Sequence, residues 1–375
     1  MKKNLLFIAA LFVVGLQLTS CDSSDEPQSQ IVVPNEVDNE CCDEEETFLA
    51  YTFLNNGYLK EIESLRDTID GKYALKAYSR NGKLTVGYND VFFALTKIST
   101  GGYVRDFSVT DITPLMTMTA MGMQHSTPVG GDAEQYDATF PAVRRAWVSF
   151  LMSSGESGYW ELSYKVSTQG RSTVHKASLL TVDAQASGRV WLKSFKVGSA
   201  TYYLTLVDPT DYQVGVNTIK AYISRQGSDK KQPYALSSEQ FSVEIYPTMP
   251  DMGNHTSPNN EPLTLQPDGS YEGKLNLTMT GEWDIHLNVK DSEGNTVAGG
   301  EALSTLYWKV TLSETHPGPP CEGGGRNCEE SNSFRSPPFR WEGNPEREGA
   351  GTVKKVTASV LPRFAGEGNK KRINE

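Results

Sequence analysis

The sequence contains the stretch Ile245-Tyr-Pro-Thr-Met-Pro-Asp-Met-Gly-Asn-His-Thr-Ser-Pro258, and an earlier stretch, Ile112 to Pro128, repeats its pattern. Each stretch has Ile-x-Pro-x-Met, then further methionine, then a histidine with a proline three residues later. The flanks match as well, since Phe107-Ser-Val precedes the first stretch and Phe241-Ser-Val precedes the second. A repeat of this length predicts two copies of one domain, each with a Met/His segment at the same place.

The methionines of the chain are concentrated in these two copies. There are nine of them, and all except Met1 lie in the repeated regions. A thioether is a soft, neutral ligand that suits Cu(I), and imidazole accepts both copper oxidation states. The pattern therefore predicts soft-metal sites with copper, as Cu(I), the expected cofactor. The candidate ligands are Met116, Met118, Met121, Met123 and His125 in the first copy, and Met249, Met252 and His255 in the second.

Other positions in the two copies have simpler interpretations. Met152 and Met279 are in phase with apolar neighbours, which favours the core over a metal site. For the Met/His segments themselves, the alternative is a hydrophobic plug that binds no metal. Pro114 and Pro247 cannot donate a ladder hydrogen bond, so we expect each segment to leave its sheet there.

Alternation of apolar and polar residues predicts β-strands through both copies. Trp160 begins one such run, and the run from Trp283 to Val289 is predicted to place His286 on a solvated face. The best candidate for a helix is Tyr58 to Asp70, although its helical periodicity is weak. The expected fold class is all-β, with two tandem immunoglobulin-like antiparallel β-sandwich domains at residues 47–182 and 183–313.

The two ends of the chain differ from the sandwiches in composition. Residues 1–20 have a basic start and a short apolar run, which predicts a signal peptide. Leu18-Thr-Ser-Cys21 resembles a bacterial lipobox, whose cysteine is lipidated. Residues 21–46 are acidic and predicted to be a disordered tether, and residues 314–375 a disordered tail. An acidic run after the lipidated cysteine resembles the surface-export signal of Bacteroidetes lipoproteins, which implies anchoring at the outer membrane or cell surface.

Composition and motifs exclude several functions. The formal net charge of −11 opposes nucleic-acid binding. The sequence has no nucleophile elbow, no phosphate-binding glycine loop and no His-Glu-x-x-His, so we predict that it is not an enzyme. Besides Cys21, the four cysteines lie outside the predicted sandwich cores, at Cys41, Cys42, Cys321 and Cys328. An inter-sheet disulfide is therefore not expected, and thiolates are not the expected metal ligands.

The order Pro-x-Met-x-x-Met, a tyrosine-led strand, then Met-x-Gly-x-Trp resembles the YtkA-like domains, to which FixH-like domains are related. The resemblance is best over Tyr212 to Leu312, and the first copy has three extra residues between Met116 and His125. The resemblance implies a bacterial envelope lipoprotein with tandem sandwiches, involved in copper handling or oxidase assembly with a copper-donor or copper-acceptor protein as partner. The alternative is a structural lipoprotein whose tandem sandwiches bind a protein or glycan without metal.

The lipobox gives the first prediction. Changing Cys21→Ser removes the thiol that would be acylated, so the variant should stay an unlipidated precursor or be released from the membrane. Metabolic labelling with a fatty acid measures this directly. Equal label in the parent and in the Ser variant would refute the assignment.

Overall fold

The computed structural model describes residues 40–185, 192–208, 212–301 and 303–312. The predicted signal peptide, the predicted tail, most of the predicted tether and Cys21 lie outside the described residues. The described chain is almost entirely β-structure, with one α-helix, α1 (Glu44–Leu54). The predicted all-β class is therefore confirmed, while the immunoglobulin-like arrangement in tandem stays a prediction. No helix in the described ranges is long and apolar enough to cross a membrane.

Two 3₁₀ turns, Glu63–Leu65 and Pro250–Met252, lie between strands of the described chain. Twelve strands make up its first half. The strands are β1 (Leu59–Glu61), β2 (Asp67–Ile69), β3 (Tyr73–Arg80), β4 (Leu84–Thr85), β5 (Gly87–Lys97), β6 (Ser108–Met118), β7 (Met123–His125), β8 (Glu134–Gln135), β9 (Arg144–Phe150), β10 (Gly158–Thr168), β11 (Arg171–Leu180) and β12 (Val182–Asp183).

Ten strands make up the second half. They are β13 (Leu192–Val197), β14 (Ala200–Asp208), β15 (Gly215–Arg225), β16 (Ser242–Met249), β17 (His255–Thr256), β18 (Glu261–Leu265), β19 (Tyr271–Leu277), β20 (Gly281–Lys290), β21 (Thr296–Gly299) and β22 (Tyr307–Leu312).

The first sandwich has two facing sheets. One has the order β1-β3-β5-β9-β8 with β2 on β3, and the other has the order β11-β10-β6-β7. The pairs are antiparallel, and β10 alternates buried and half-buried residues along its whole length. Apolar residues from both sheets, among them Leu75, Phe93, Phe150 and Trp160, form one buried core between them. Burial of one face of each sheet is what holds the layers together.

The second sandwich is one continuous sheet that folds over its own core. Its order is β13-β14-β15-β19-β18-β16-β20-β21, with β17 on β16 and β22 on β20. Because β18 pairs with both β19 and β16, it joins the two layers at a corner. Trp283, Ile285, Leu287 and Val289 are fully buried in its core, as the alternating pattern of β20 predicts.

Two equivalent asparagines make the same hydrogen bonds in the two sandwiches. Asn89 donates to the carbonyls of Thr85 and Gly87, and Asn217 donates to those of Gln213 and Gly215. Each asparagine also accepts a backbone N–H, from residue 85 or residue 213. The two buried asparagines therefore close the same turn at the start of β5 and of β15.

The tryptophans repeat in the same way. Trp160 and Trp283 are both fully buried, and each indole Nε1–H donates to a methionine carbonyl, that of Met152 at 2.8 Å and that of Met279 at 3.0 Å. A buried indole N–H without an acceptor would be costly, so these bonds fix each ring in its core.

The predicted tether is shorter than the sequence indicated, because α1 begins inside it. Asp43 caps the helix: its Oδ1 accepts from the Glu46 N–H at 2.9 Å, and Glu46 Oε2 accepts from the Asp43 N–H at 3.1 Å. These acidic residues therefore form a capping box and the first turn of a helix, where their negative charge interacts favourably with the positive end of the helix dipole. Cys42 lies beside this cap, and burial raises the pKa of its thiol to about 11.

Two further local predictions were wrong. Tyr58 to Asp70 forms two short strands and a 3₁₀ turn, not a helix. His286 is buried on the face predicted to be solvated, because Ser304 and Tyr307 lie against its ring. Its Nδ1 bonds Ser304 O at 2.8 Å and its Nε2 lies 3.1 Å from Thr248 Oγ1.

Neither proline leaves its sheet, which corrects the expectation for Pro114 and Pro247. Strand β6 continues to Met118 and strand β16 to Met249. The prolines are tolerated because, at each of these positions, the strand has a paired neighbour on one side only. Pro114, for example, pairs with Leu162 of β10, while the pairing with β7 on the other side begins only at Met116.

The two sandwiches belong to one compact unit and share an aromatic contact. Trp147 of the first stacks on Tyr222 of the second, with ring centroids 4.6 Å apart and planes 18° apart. Backbone bonds extend this contact: Tyr234 N–H donates to Thr127 O at 3.0 Å, and Val129 N–H to Tyr234 O at 3.2 Å. A segment of the second sandwich is thereby paired with the chain that follows His125.

The equivalent tryptophans give the second prediction. Trp160→Ala and Trp283→Ala should each lower the free energy of unfolding by about 3–5 kcal/mol, because each leaves a cavity in a closed core. Urea unfolding followed by circular dichroism measures the loss. Val216→Ala, at a side chain that is 62% exposed, is the control and should change little. A tryptophan variant as stable as this control would contradict the packing.

Candidate metal-binding hairpins

In the first sandwich, the candidate ligands lie on a β-hairpin formed by β6 and β7. Met116 is directly opposite His125, and Met118 is directly opposite Met123. Directly opposed residues share a face of an antiparallel pair, and so do residues two apart along one strand. The register therefore places three thioethers and one imidazole on the same face of the hairpin.

These four side chains range from the core to the surface. Met116 is fully buried, Met118 and His125 are half-buried, and Met123 is 52% exposed. Met121, in the turn of the hairpin, is 56% exposed. An exposed apolar side chain gains little free energy from burial, so the clustering of methionines at the turn of this hairpin points to a contact or ligand role.

The ring of His125 has a fixed orientation. Its Nδ1 lies 2.8 Å from the carbonyl oxygen of Ser126, and since a carbonyl only accepts, Nδ1 must carry the proton. In the neutral ring, Nε2 then holds the lone pair, which is the form that binds a metal. The ring also meets Trp160 edge to face, with centroids 5.6 Å apart.

The second sandwich has the same pairing with fewer donors. Met249 is directly opposite His255 on β16 and β17. Met249 is 3% exposed, as deeply placed as its counterpart Met116, whereas Met252 in the 3₁₀ turn is 55% exposed. His255 is exposed as well. This hairpin therefore joins one core thioether and one imidazole on a shared face, with a second thioether in its turn.

A glycine sets the position of the buried methionine in each hairpin. A Cβ at Gly281 would lie 2.6 Å from Met249 Cε, and a Cβ at Gly158 would lie 2.8 Å from Met116 Cε. Both distances are below any normal carbon contact. The glycine two residues before each buried tryptophan, Gly158 or Gly281, is therefore the residue that makes room for the methionine opposite it.

Sequence patterns did not reveal the role of Ser126. This fully buried residue donates from Oγ to Pro114 O at 2.5 Å and from N–H to Lys230 O at 2.6 Å. Its carbonyl holds His125. Lys230 comes from the other sandwich, about a hundred positions away, and no local motif could have indicated that contact.

The other methionines and a further histidine do not gather at these hairpins. Met152 and Met279 pack against the two cores, as expected. His175 is buried and bonds Asp67 Oδ2 at 2.8 Å, away from both hairpins. Within the described ranges, no group of three or more His, Cys, Asp and Glu side chains could hold a metal.

Fold and site together describe an all-β protein in which a Met/His hairpin closes the end of each sandwich. Residues 196–288 match the family model of YtkA-like domains. The second sandwich therefore contains a YtkA-like domain, which confirms the resemblance for that copy. The match covers one copy, so the tandem arrangement and the relation to FixH-like domains stay predictions.

Other comparisons add little. A search among curated proteins finds no match to the chain. Among solved structures, the chain is similar to the Bacteroides ovatus mixed-linkage glucan utilization locus SGBP-B, determined in complex with a mixed-linkage heptasaccharide. The two are 14% identical, the alignment covers 62% of this chain and 67% of that chain, and the TM-score is 0.14. A likeness this weak carries no argument about fold or function.

The third prediction tests how the glycine positions the methionine. Gly281→Ala should lower the free energy of unfolding by about 1–3 kcal/mol, because its φ of 126° disfavours a side chain and its Cβ would collide with Met249. Gly227→Ala, where the nearest atom to an added Cβ is 3.9 Å away, is the matched control. Thermal unfolding of both variants measures the difference, and equal melting temperatures would argue against the contact.

Proposed function

We propose that this protein is a membrane-anchored envelope lipoprotein that binds Cu(I) through its Met/His hairpins, for copper handling or oxidase assembly. The observation that carries the proposal is the register of β6 and β7. That register gives Met116, Met118, Met123 and His125 a common face. Thioether and imidazole are the ligand types that select Cu(I) in an oxidising compartment, where thiolates are lost to disulfides.

Three of these four donors are suited to hold the ion. Met118, Met123 and His125 lie at the end of the sandwich and are half-buried or exposed, so an ion can reach them. Met116 lies beneath them in the core and forms the apolar floor of the site. The Nε2 lone pair of His125 supplies the nitrogen ligand, and Met121 in the turn is a further donor.

The second hairpin supports the same function by repetition. Its Met249–His255 pair occupies the position of the Met116–His125 pair, and the Asn217 and Trp283 contacts repeat those of Asn89 and Trp160. On this basis we also propose that the first sandwich is a diverged YtkA-like domain. Cys21 would anchor both to the outer membrane or cell surface, beside a copper-donor or copper-acceptor protein.

The fourth prediction tests copper binding in the full chain. The parent should take Cu(I) from a chelator of known affinity. The triple variant Met118→Leu, Met123→Leu, Met252→Leu should lose affinity by at least the roughly 10- to 100-fold that loss of even an outer-shell group costs. Leu and Met have similar volumes, so its stability should change by less than about 1.5 kcal/mol.

The matched control is the double variant Met152→Leu, Met279→Leu, which removes two thioethers that pack against the cores. It should bind Cu(I) as the parent does. Failure of the parent to compete for copper, or equal affinity in all three proteins, would refute the proposal. The protein would then be assigned to the alternative class, which binds a protein or glycan without metal.

A further inference from the structure

We propose that the two hairpins are unequal: the first holds Cu(I), and the second exchanges it with a partner protein that presents soft ligands of its own. This inference rests on the proposed function and concerns how copper is divided between its two sites. Three independent features of the described residues distinguish the hairpins, namely the orientation of the histidine, the support behind it, and the number of donors.

The histidines differ in how they are held. His125 is half-buried, its Nδ1 is bonded to Ser126 O, and its ring contacts Trp160. His255 is exposed to solvent, so its ring is less constrained than that of His125. Ordering a side chain at a binding site lowers affinity by roughly two- to tenfold. The first site avoids this cost because its imidazole is already oriented.

The support behind the two histidines differs as well. The residue after His125 is Ser126, which is fully buried and bonded to Pro114 O within its own sandwich and to Lys230 O of the second. The residue after His255 is Thr256, which is exposed. The contact between the sandwiches therefore stabilises the first hairpin from behind and leaves the second without such support.

The donor sets also differ. The first hairpin pairs Met118 with Met123 in addition to pairing Met116 with His125. The second has the Met249–His255 pair, and Met252 is the exposed thioether of its turn. Exchange of a metal between two proteins proceeds when an incoming ligand reaches the ion, so the more open site is the one that a partner can reach. A copper protein with exposed thioethers or thiolates fits this role.

The test uses the full chain in detergent micelles with 13C-labelled methionine methyl groups. Cu(I) is d10 and diamagnetic, so the methyl signals can be followed as it is added from a Cu(I)-loaded chelator. Single Met→Leu variants assign the signals. We expect the methyls of Met118 and Met123 to shift with the first equivalent of Cu(I), and that of Met252 to shift only with the second. The two affinities should differ by at least about tenfold.

Matched variants identify each site. His125→Asn should remove the tight phase and leave the weak one, while His255→Asn should remove only the weak phase. If His125→Asn does not fold, the double variant Met118→Leu, Met123→Leu tests the same site with a conservative change. Excess chelator should strip the second site faster than the first in the parent.

Two outcomes would overturn this inference while leaving the proposed function in place. One is a parallel shift of both groups of methyls, which would mean equal sites. The other is a shift of Met252 before Met118 and Met123, which would reverse the order. The absence of any methyl shift, together with failure to compete with the chelator, would refute copper binding itself and this inference with it.

Discussion

Each sandwich depends on a tryptophan that is fully buried and also hydrogen-bonded. The indoles of Trp160 and Trp283 supply large apolar surfaces, and their N–H groups donate to the carbonyls of Met152 and Met279, so neither core contains an unpaired indole donor at this position. Each tryptophan lies on the strand that pairs with the first strand of a Met/His hairpin. The packing of each core therefore fixes the position of the first strand of its hairpin, on which Met118 and Met249 lie.

Much of this architecture could be predicted from the sequence because it depends on short-range periodicity. The alternation around Trp160 and Trp283 identified the buried faces, and the repeated Pro-x-Met and Gly-x-Trp runs identified the equivalent strands. Features that depend on distant partners could not be predicted. His286 is covered by Ser304, eighteen positions later in the chain, and acidic residues at the start of α1 favour a helix cap as readily as disorder.

In the candidate site, too, local features could be predicted from the sequence and long-range contacts could not. Residue types and spacing identified the methionines and histidines, since ligand chemistry is a property of the side chain itself. The sequence did not establish which of them share a face, because that depends on register, and a shift of one residue would turn every donor to the other side. It also gave no sign that Ser126 joins His125 to the second sandwich through Lys230, since that contact exists only when both domains are folded and docked.

The two edge prolines have a consequence for solubility. A strand that has a free edge beside an exposed apolar turn is a template on which another chain could add a strand. Pro114 and Pro247 lie in the middle of such strands, β6 and β16, and each removes one N–H from the edge that a foreign strand would need. An apolar tip can then be presented to solvent without seeding fibrous association between copies, and the proline of each Ile-x-Pro-x-Met motif protects the strand edge that leads to this tip.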